Sequence, residues 1–163
     1  MEIKLITKDN FPDVVEIYKQ GLATHIATFQ NALPQWEEWD KGHLNFCRIS
    51  IYEDNKMLGW TALTPVSSRC VYTGVAEVSV YVSQEERGKG IGKILLDELI
   101  AQSEANGIWT LQSGIFSENL GSIRLHKKCG FRMVGYREKI GKKNGIWKDN
   151  VLMERRSKNI GTD

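Results

Sequence analysis

Cysteine is scarce and unpatterned. Cys47, Cys70 and Cys129 are isolated, odd in number and form no CxxC pair. Neither a disulfide framework nor a zinc site is expected, and no metal is assigned. Buried or part-buried thiols in a reducing compartment are the default reading. Long hydrophobic runs are missing too. No segment approaches the ~18 apolar residues of a membrane span, and no N-terminal stretch reads as a signal peptide. A cytoplasmic protein with no membrane partner is expected. Charge of one sign is also lacking: 22 basic against 20 acidic side chains leave a net +2. Nucleic-acid binding would need a basic stripe, so no nucleic-acid partner is assigned. The local basic clusters at Lys139–Lys148 and Arg155–Lys158 read as solvated faces. There are no repeats, low-complexity segments or linkers. The 163 residues, 41% hydrophobic and 26% charged, are ordinary for a globular chain with a substantial core. One domain over 1–156 is expected, with 157–163 as a frayed tail.

Two familiar phosphate loops are absent as well. No GxxxxGK[ST] occurs. GxGxxG fails because the run Gly88, Gly90, Gly92 leads into Lys93, Ile94 and Leu95. A third kind of cradle is nevertheless present within Glu77–Leu99. Glu77–Val82 alternates and is rich in Val and Tyr, as a strand should be. Arg87, Gly88, Gly90 and Gly92 then form a glycine-rich turn interleaved with Lys89 and Lys93. Ile91, Ile94, Leu95 and Leu99 follow at helical spacing. A strand running through such a turn into a helix suits a pyrophosphate, because the first amides of a helix lack partners and its dipole attracts anions. Glycine leaves the backbone open to close approach.

The rest of the chain reads as mixed α/β. Met1–Ile6 is a strand by alternation, and Asp9-Asn10-Phe11-Pro12 opens a helix reaching Leu22. A second helix starts at Pro34–Trp39 and runs to Leu44. Phe46–Tyr52 and Lys56–Pro65 form a hairpin about Glu53-Asp54-Asn55. Ser67–Arg69 is a loop before a long strand, Val71–Val82. After the cradle helix, Gly107 sits at the C′ position. Trp109–Phe116 is the next strand, and Asn119 caps a helix over Leu120–Lys128. Phe131–Lys139 and Ile146–Arg155 close the chain as a hairpin across Gly141–Gly145.

Arg87-Gly88-Lys89-Gly90-Ile91-Gly92 resembles the (Arg/Gln)-x-x-Gly-x-(Gly/Ala) motif of the GCN5-related N-acetyltransferase (GNAT) superfamily. The element order resembles that superfamily over nearly the whole chain. The resemblance implies an α/β fold: a mixed, mostly antiparallel sheet flanked by helices, with a splayed β-α-β site for acetyl-CoA. Residues Arg87 to Lys93 would hold its pyrophosphate, and a freed backbone N–H at Val82 or its neighbours Val80 and Tyr81 would hold the thioester oxygen. Asn119, Ser122 and His126, spaced three and four apart, share one helix face. The superfamily places a pantetheine-binding Asn at the first position. At the third it often has a Tyr as general acid.

His126 in place of that Tyr is what phosphinothricin and methionine sulfoximine N-acetyltransferases show, and the resemblance to them extends further. Arg69, Tyr72 and Val75-Ala76-Glu77-Val78-Ser79-Val80-Tyr81-Val82 match their Arg, Tyr and strand pattern. Thr28-Phe29 and Gly141–Asp149, including Trp147, look like their substrate-side loops. Val75 in place of Thr, and Ser67 where some members carry a basic residue, are departures. Glu77 is then expected as general base and His126 as a proton carrier. Arg69 and Tyr72 would bind an amino-acid carboxylate. No His–Asp arrangement accompanies Ser79, so direct attack by the amine is expected. The implied partners are a small-molecule amine and a second copy of the chain as a homodimer. Acetylation of a protein N-terminus, polyamine or aminoglycoside, or mere acyl-CoA binding, stand as alternatives.

Overall fold

The computed structural model describes all 163 residues. Strands β1 (Glu2–Leu5), β2 (Ile49–Glu53), β3 (Lys56–Pro65), β4 (Val75–Val82), β5 (Thr110–Phe116), β6 (Arg132–Lys143) and β7 (Ile146–Arg156) share one sheet, ordered β1-β2-β3-β4-β5-β7-β6. Every pairing is antiparallel except β4 with β5. Helices α1 (Phe11–Leu22) and α2 (Trp36–Gly42) cover one face. Helices α3 (Ile91–Ala105) and α4 (Leu120–Lys128) cover the other.

The strand pattern explains the two layers. On β4, Ala76 and Val78 point into the α3 side, where Leu95, Leu96 and Leu99 are fully buried. Each such leucine contributes about 1.5–3 kcal/mol of burial. The alternate residues Glu77, Ser79 and Tyr81 face the α1 side. There Tyr81 stacks on Trp60 at 4.9 Å and meets Tyr18 edge-on at 5.1 Å. Gly21 in α1 makes room for it, since a Cβ there would lie 2.9 Å from the Tyr81 ring.

Several boundaries differ from the sequence reading. The second helix ends at Gly42 and β2 starts only at Ile49. Arg48, itself buried, spends its guanidinium on the carbonyls of Asp40, His43 and Leu44 and on the Asp40 carboxylate. The chain over 43–48 is thereby turned into a cap, with Cys47 at φ 57°. The β4 strand begins at Val75 instead of Val71, because Cys70–Tyr72 closes a single 3₁₀ turn. Asn10 does not cap α1 with its side chain; its amide binds Leu5 and Thr7 backbone instead. The last hairpin turns at Asn144-Gly145, both at positive φ, as a tight Asn-Gly turn requires.

The expected frayed tail is a correction as well. Ser157 is buried, and Ser157 and Asn159 both donate to the Glu104 carboxylate, with Oγ and Nδ2 at 2.8 Å. Arg156 reaches the carbonyls of Ile160 and Gly161. A half-buried carboxylate is steadied by donors, and the tail supplies them.

Candidate acetyl-transfer site

The β4 and β5 strands pair only over Val75–Glu77 with Thr110–Gln112. Beyond that point β4 stays with β3 through Val82, and β5 stays with β7 through Phe116, so the two part company. Backbone direction along β4 follows from its neighbours. Gly74 O accepts from the β5 side, whereas Ser79 O and Ser83 N bond toward β3. Alternation spends the Val78 N–H on the last rung to β5 at Gln112 and aims the N–H groups of Val80 and Val82 into the gap. Tyr81, grouped with them in the sequence, turns its N–H toward β3. A cavity of about 910 Å³ fills the splay and continues to the α3 N-terminus.

At the cradle end, Gly88 and Gly90 sit at φ 76° and 88°, a region L side chains rarely adopt. A Cβ at either would meet nothing within 4 Å, so the turn itself requires the glycines. Gly92 has another reason: a Cβ there would lie 2.8 Å from Leu125, so it sets the approach of α4. The amides of Ile91 and Gly92 have no backbone acceptor. They open a 15-residue helix whose dipole favours an anion at this end. Arg87 lines the cavity mouth. Lys93, in the cavity wall, is bonded to Asp97 at 2.5 Å, and Lys89, outside the wall, is bonded at 3.1 Å to Glu86, which lines it.

On α4, Asn119 caps the helix by accepting from the Ser122 N–H at 3.2 Å. His126 lies one turn beyond Ser122. Its Nδ1 is 2.7 Å from the Ser122 carbonyl, which only accepts, so Nδ1 carries the proton. Nε2 is then an acceptor, shut off from solvent and without a partner. Burial holds the ring's pKa below its ordinary value, against a smaller upward push from the Ser122 bond. The ring is therefore neutral at physiological pH. Its unpartnered Nε2 can accept a proton but not donate one in this state, and His126 lines the same cavity as Glu77.

Glu77 stands where the strands part, half-buried on the cavity wall, with Oε2 accepting from Gln112 Nε2 at 3.2 Å. It takes part in no ion pair. Thr28 and Phe29 line the roof on the same side. Three further residues do not join them. Arg69 lies exposed over the Tyr72 ring at 5.7 Å, and neither reaches the cavity of its own chain. Gly74 sits against the Trp109 indole, where a Cβ would lie 2.0 Å away, and the Cys70–Tyr72 turn before it is exposed. Trp147 is 52% exposed on the hairpin under Lys142. Sequence reasoning missed Ile26, Gln30, Gly114 and Asn150 in the wall. The glycine inside β5 was a readable signal of an open floor. Cys129 is no nucleophile: burial pushes its thiol up to about 11.

An open sheet edge inside the protein, next to a bare helix N-terminus, defines an acyl-CoA-dependent acyltransferase fold. The chain belongs to the Acetyltransferase (GNAT) family, whose sequence model matches residues 11–131. It is an N-acetyltransferase with acetyl-CoA as co-substrate. Phosphinothricin N-acetyltransferase of Alcaligenes faecalis is 30% identical over 94% of this chain and 81% of its own length. The L-methionine sulfoximine/L-methionine sulfone acetyltransferase of Salmonella typhimurium is 30% identical over 94% and 93%. Among solved structures, a phosphinothricin acetyltransferase from Sinorhizobium meliloti in complex with AcCoA superposes with TM-score 0.84, 27% identity and coverage of 95% and 87%. A ribosomal-protein-alanine N-acetyltransferase from Brucella melitensis gives 0.88, 26%, 96% and 100%. No helix is long and apolar enough to cross a membrane.

Proposed function

We propose that the protein acetylates the α-amine of a small amino acid or analogue of the phosphinothricin or methionine sulfoximine type. The observation that carries this is Glu77, a carboxylate without an ion-pair partner on the cavity wall where β4 and β5 separate. Glu77 takes a proton from the substrate ammonium, directly or through one water. The N–H groups of Val80 and Val82 stabilise the oxyanion as the amine attacks the thioester. Ile91, Gly92 and Arg87 hold the pyrophosphate, and Asn119 and Ser122 border the pantetheine path. His126, neutral and with Nε2 unpartnered, lines the same cavity and is available to accept a proton.

A roofed cavity favours a compact amine over the extended N-terminus of a folded protein. Exposed apolar side chains on β6 and β7 (Met133, Val134, Tyr136, Ile140, Ile146 and Trp147) support a homodimer. In that assembly Arg69, Tyr72 and Trp147 belong to a shared substrate face. Three free cysteines favour the cytoplasm.

The test is thiol release from acetyl-CoA against phosphinothricin, methionine sulfoximine, methionine sulfone, ordinary amino acids, a polyamine, an aminoglycoside and an alanine-initiated peptide. Turnover is expected for the glutamate-like analogues, and Glu77→Gln is expected to lower kcat by about 10²–10⁴ with acetyl-CoA binding retained. Turnover confined to the peptide or the polyamine would sink the substrate class. A fully active Glu77→Gln would sink the base.

A further inference from the structure

The segment 26–31 has no regular secondary structure, yet Ile26, Thr28, Phe29 and Gln30 wall the cavity. It lies on the Glu77 side. Phe29 packs edge-on against Phe116 at 4.5 Å, and Phe116 shares a sheet face with Gln112, the cross-strand partner of Glu77. Asn119 Nδ2 holds the start of this segment at the Ile26 carbonyl, 3.4 Å away, and its end is held from the far hairpin. Lys143 is 3% exposed, and its Nζ donates to the Gln30 carbonyl and to Asn31 Oδ1, both at 2.5 Å. Both acceptors are neutral. A buried ammonium held by neutral oxygens is a costly way to fix a loop. Two residues earlier on the same strand, Gly141 sits against the Phe29 ring, where a Cβ would lie 2.9 Å away.

We propose that Lys143, assisted by Gly141, is a positioning residue for the amine site. It sets the height of Phe29 and Gln30 above the cavity floor at Gly114, and so the room left beside Glu77 for the acceptor. The acetyl-CoA end is built on β4, α3 and α4, and it meets the segment through Asn119 Nδ2 on the Ile26 carbonyl at 3.4 Å, at the other end from the Gln30 and Asn31 acceptors that Lys143 holds. The inference rests on the reading that this cavity takes a small amine.

Three variants of the full chain test it. Lys143→Met removes both hydrogen bonds and keeps the stem, and Lys143→Arg keeps donors. Gly141→Ala adds a methyl under Phe29 at a position without positive φ, and serves if Lys143→Met does not fold. The first measurement is amide exchange over 26–31 in the free protein. Lys143→Met is expected to speed it about tenfold or more, and Lys143→Arg to restore much of the protection. The second is the KM pair. The amine KM is expected to rise about tenfold while the acetyl-CoA KM stays within about twofold; Gly141→Ala is expected to act the same way, most on the bulkiest amine.

Unchanged exchange in Lys143→Met overturns the proposal whichever amine is acetylated. Faster exchange with an unmoved amine KM overturns it too, and leaves the proposed substrate class standing. Both KM values rising together would mean a merely structural role. If the wild type acetylates no small amine, the substrate reading falls on its own while the exchange arm still decides whether Lys143 holds the roof.

Discussion

At His126 a single hydrogen bond decides the tautomer, and burial decides the charge. Nδ1–H is committed to the Ser122 carbonyl, and the ring's pKa is lowered mainly by desolvation. His43, stacked on Trp39 at 4.1 Å, is lowered for the same leading reason. A histidine held below its unfolded value of about 6.5 binds fewer protons folded than unfolded. Its contribution to stability is therefore complete above that pH and is lost as pH falls through it toward the lower folded value. Thermal unfolding between pH 7 and 5 is expected to show this loss. His126→Gln is expected to flatten part of the slope and the double variant with His43→Gln more of it. A slope unchanged in the double variant would assign it elsewhere. Sequence alone placed His126 on α4, one turn beyond Ser122. It did not reveal the ring's protonation, because no spacing rule reports how deeply a side chain is buried.

Among the elements, β4 and its entry show how one contact moves a boundary. The Val-rich pattern argues for a strand from Val71, but a Cβ at Gly74 would lie only 2.0 Å from the Trp109 indole. Residue 74 must stay bare for the chain to enter the sheet beneath that ring. Gly74→Ala is expected to destabilise the protein by about 1–3 kcal/mol, since packed rings cannot yield. Gly42→Ala, with nothing near its Cβ at the end of α2, is the control, expected to be neutral or slightly stabilising. Equal melting temperatures for the two would refute the packing argument. The cradle was legible because a positive-φ glycine turn before a helix is written locally. The end of α2 was not, because Arg48 reaches back to it from six residues downstream.

Across the whole molecule, both chain ends are fastened to the sheet. The tail fixes the C-terminus of α3 through Glu104, whose carboxyl is held below its usual range by donors from Asn159, Arg155 and Ser157. Deleting residues after Arg156 removes two of those donors. A loss of about 1–3 kcal/mol is expected, as for a charged group left short of partners, read as a lower urea midpoint. Acetyl-CoA affinity should hold, because the cradle lies at the opposite end of α3. A truncated protein as stable as the full chain would return the tail to a frayed segment.

The sequence by itself determined the α/β order, the glycine cradle, the polar face of α4 and the membership of Glu77 in a half-buried strand. All are local patterns of period 2 or 3.6, or turn chemistry that a few neighbouring residues enforce. Tertiary structure alone decided that β4 and β5 part after Glu77, that Val80 and Val82 rather than Tyr81 turn their amides into the gap, and that His126 is neutral. It also left Arg69, Tyr72 and Trp147 outside the cavity and brought Lys143 to the roof, 112 residues in sequence from Asn31. The physical reason is common to them: each depends on which distant backbone or ring fills the space beside a residue, and that is set only once the sheet has assembled.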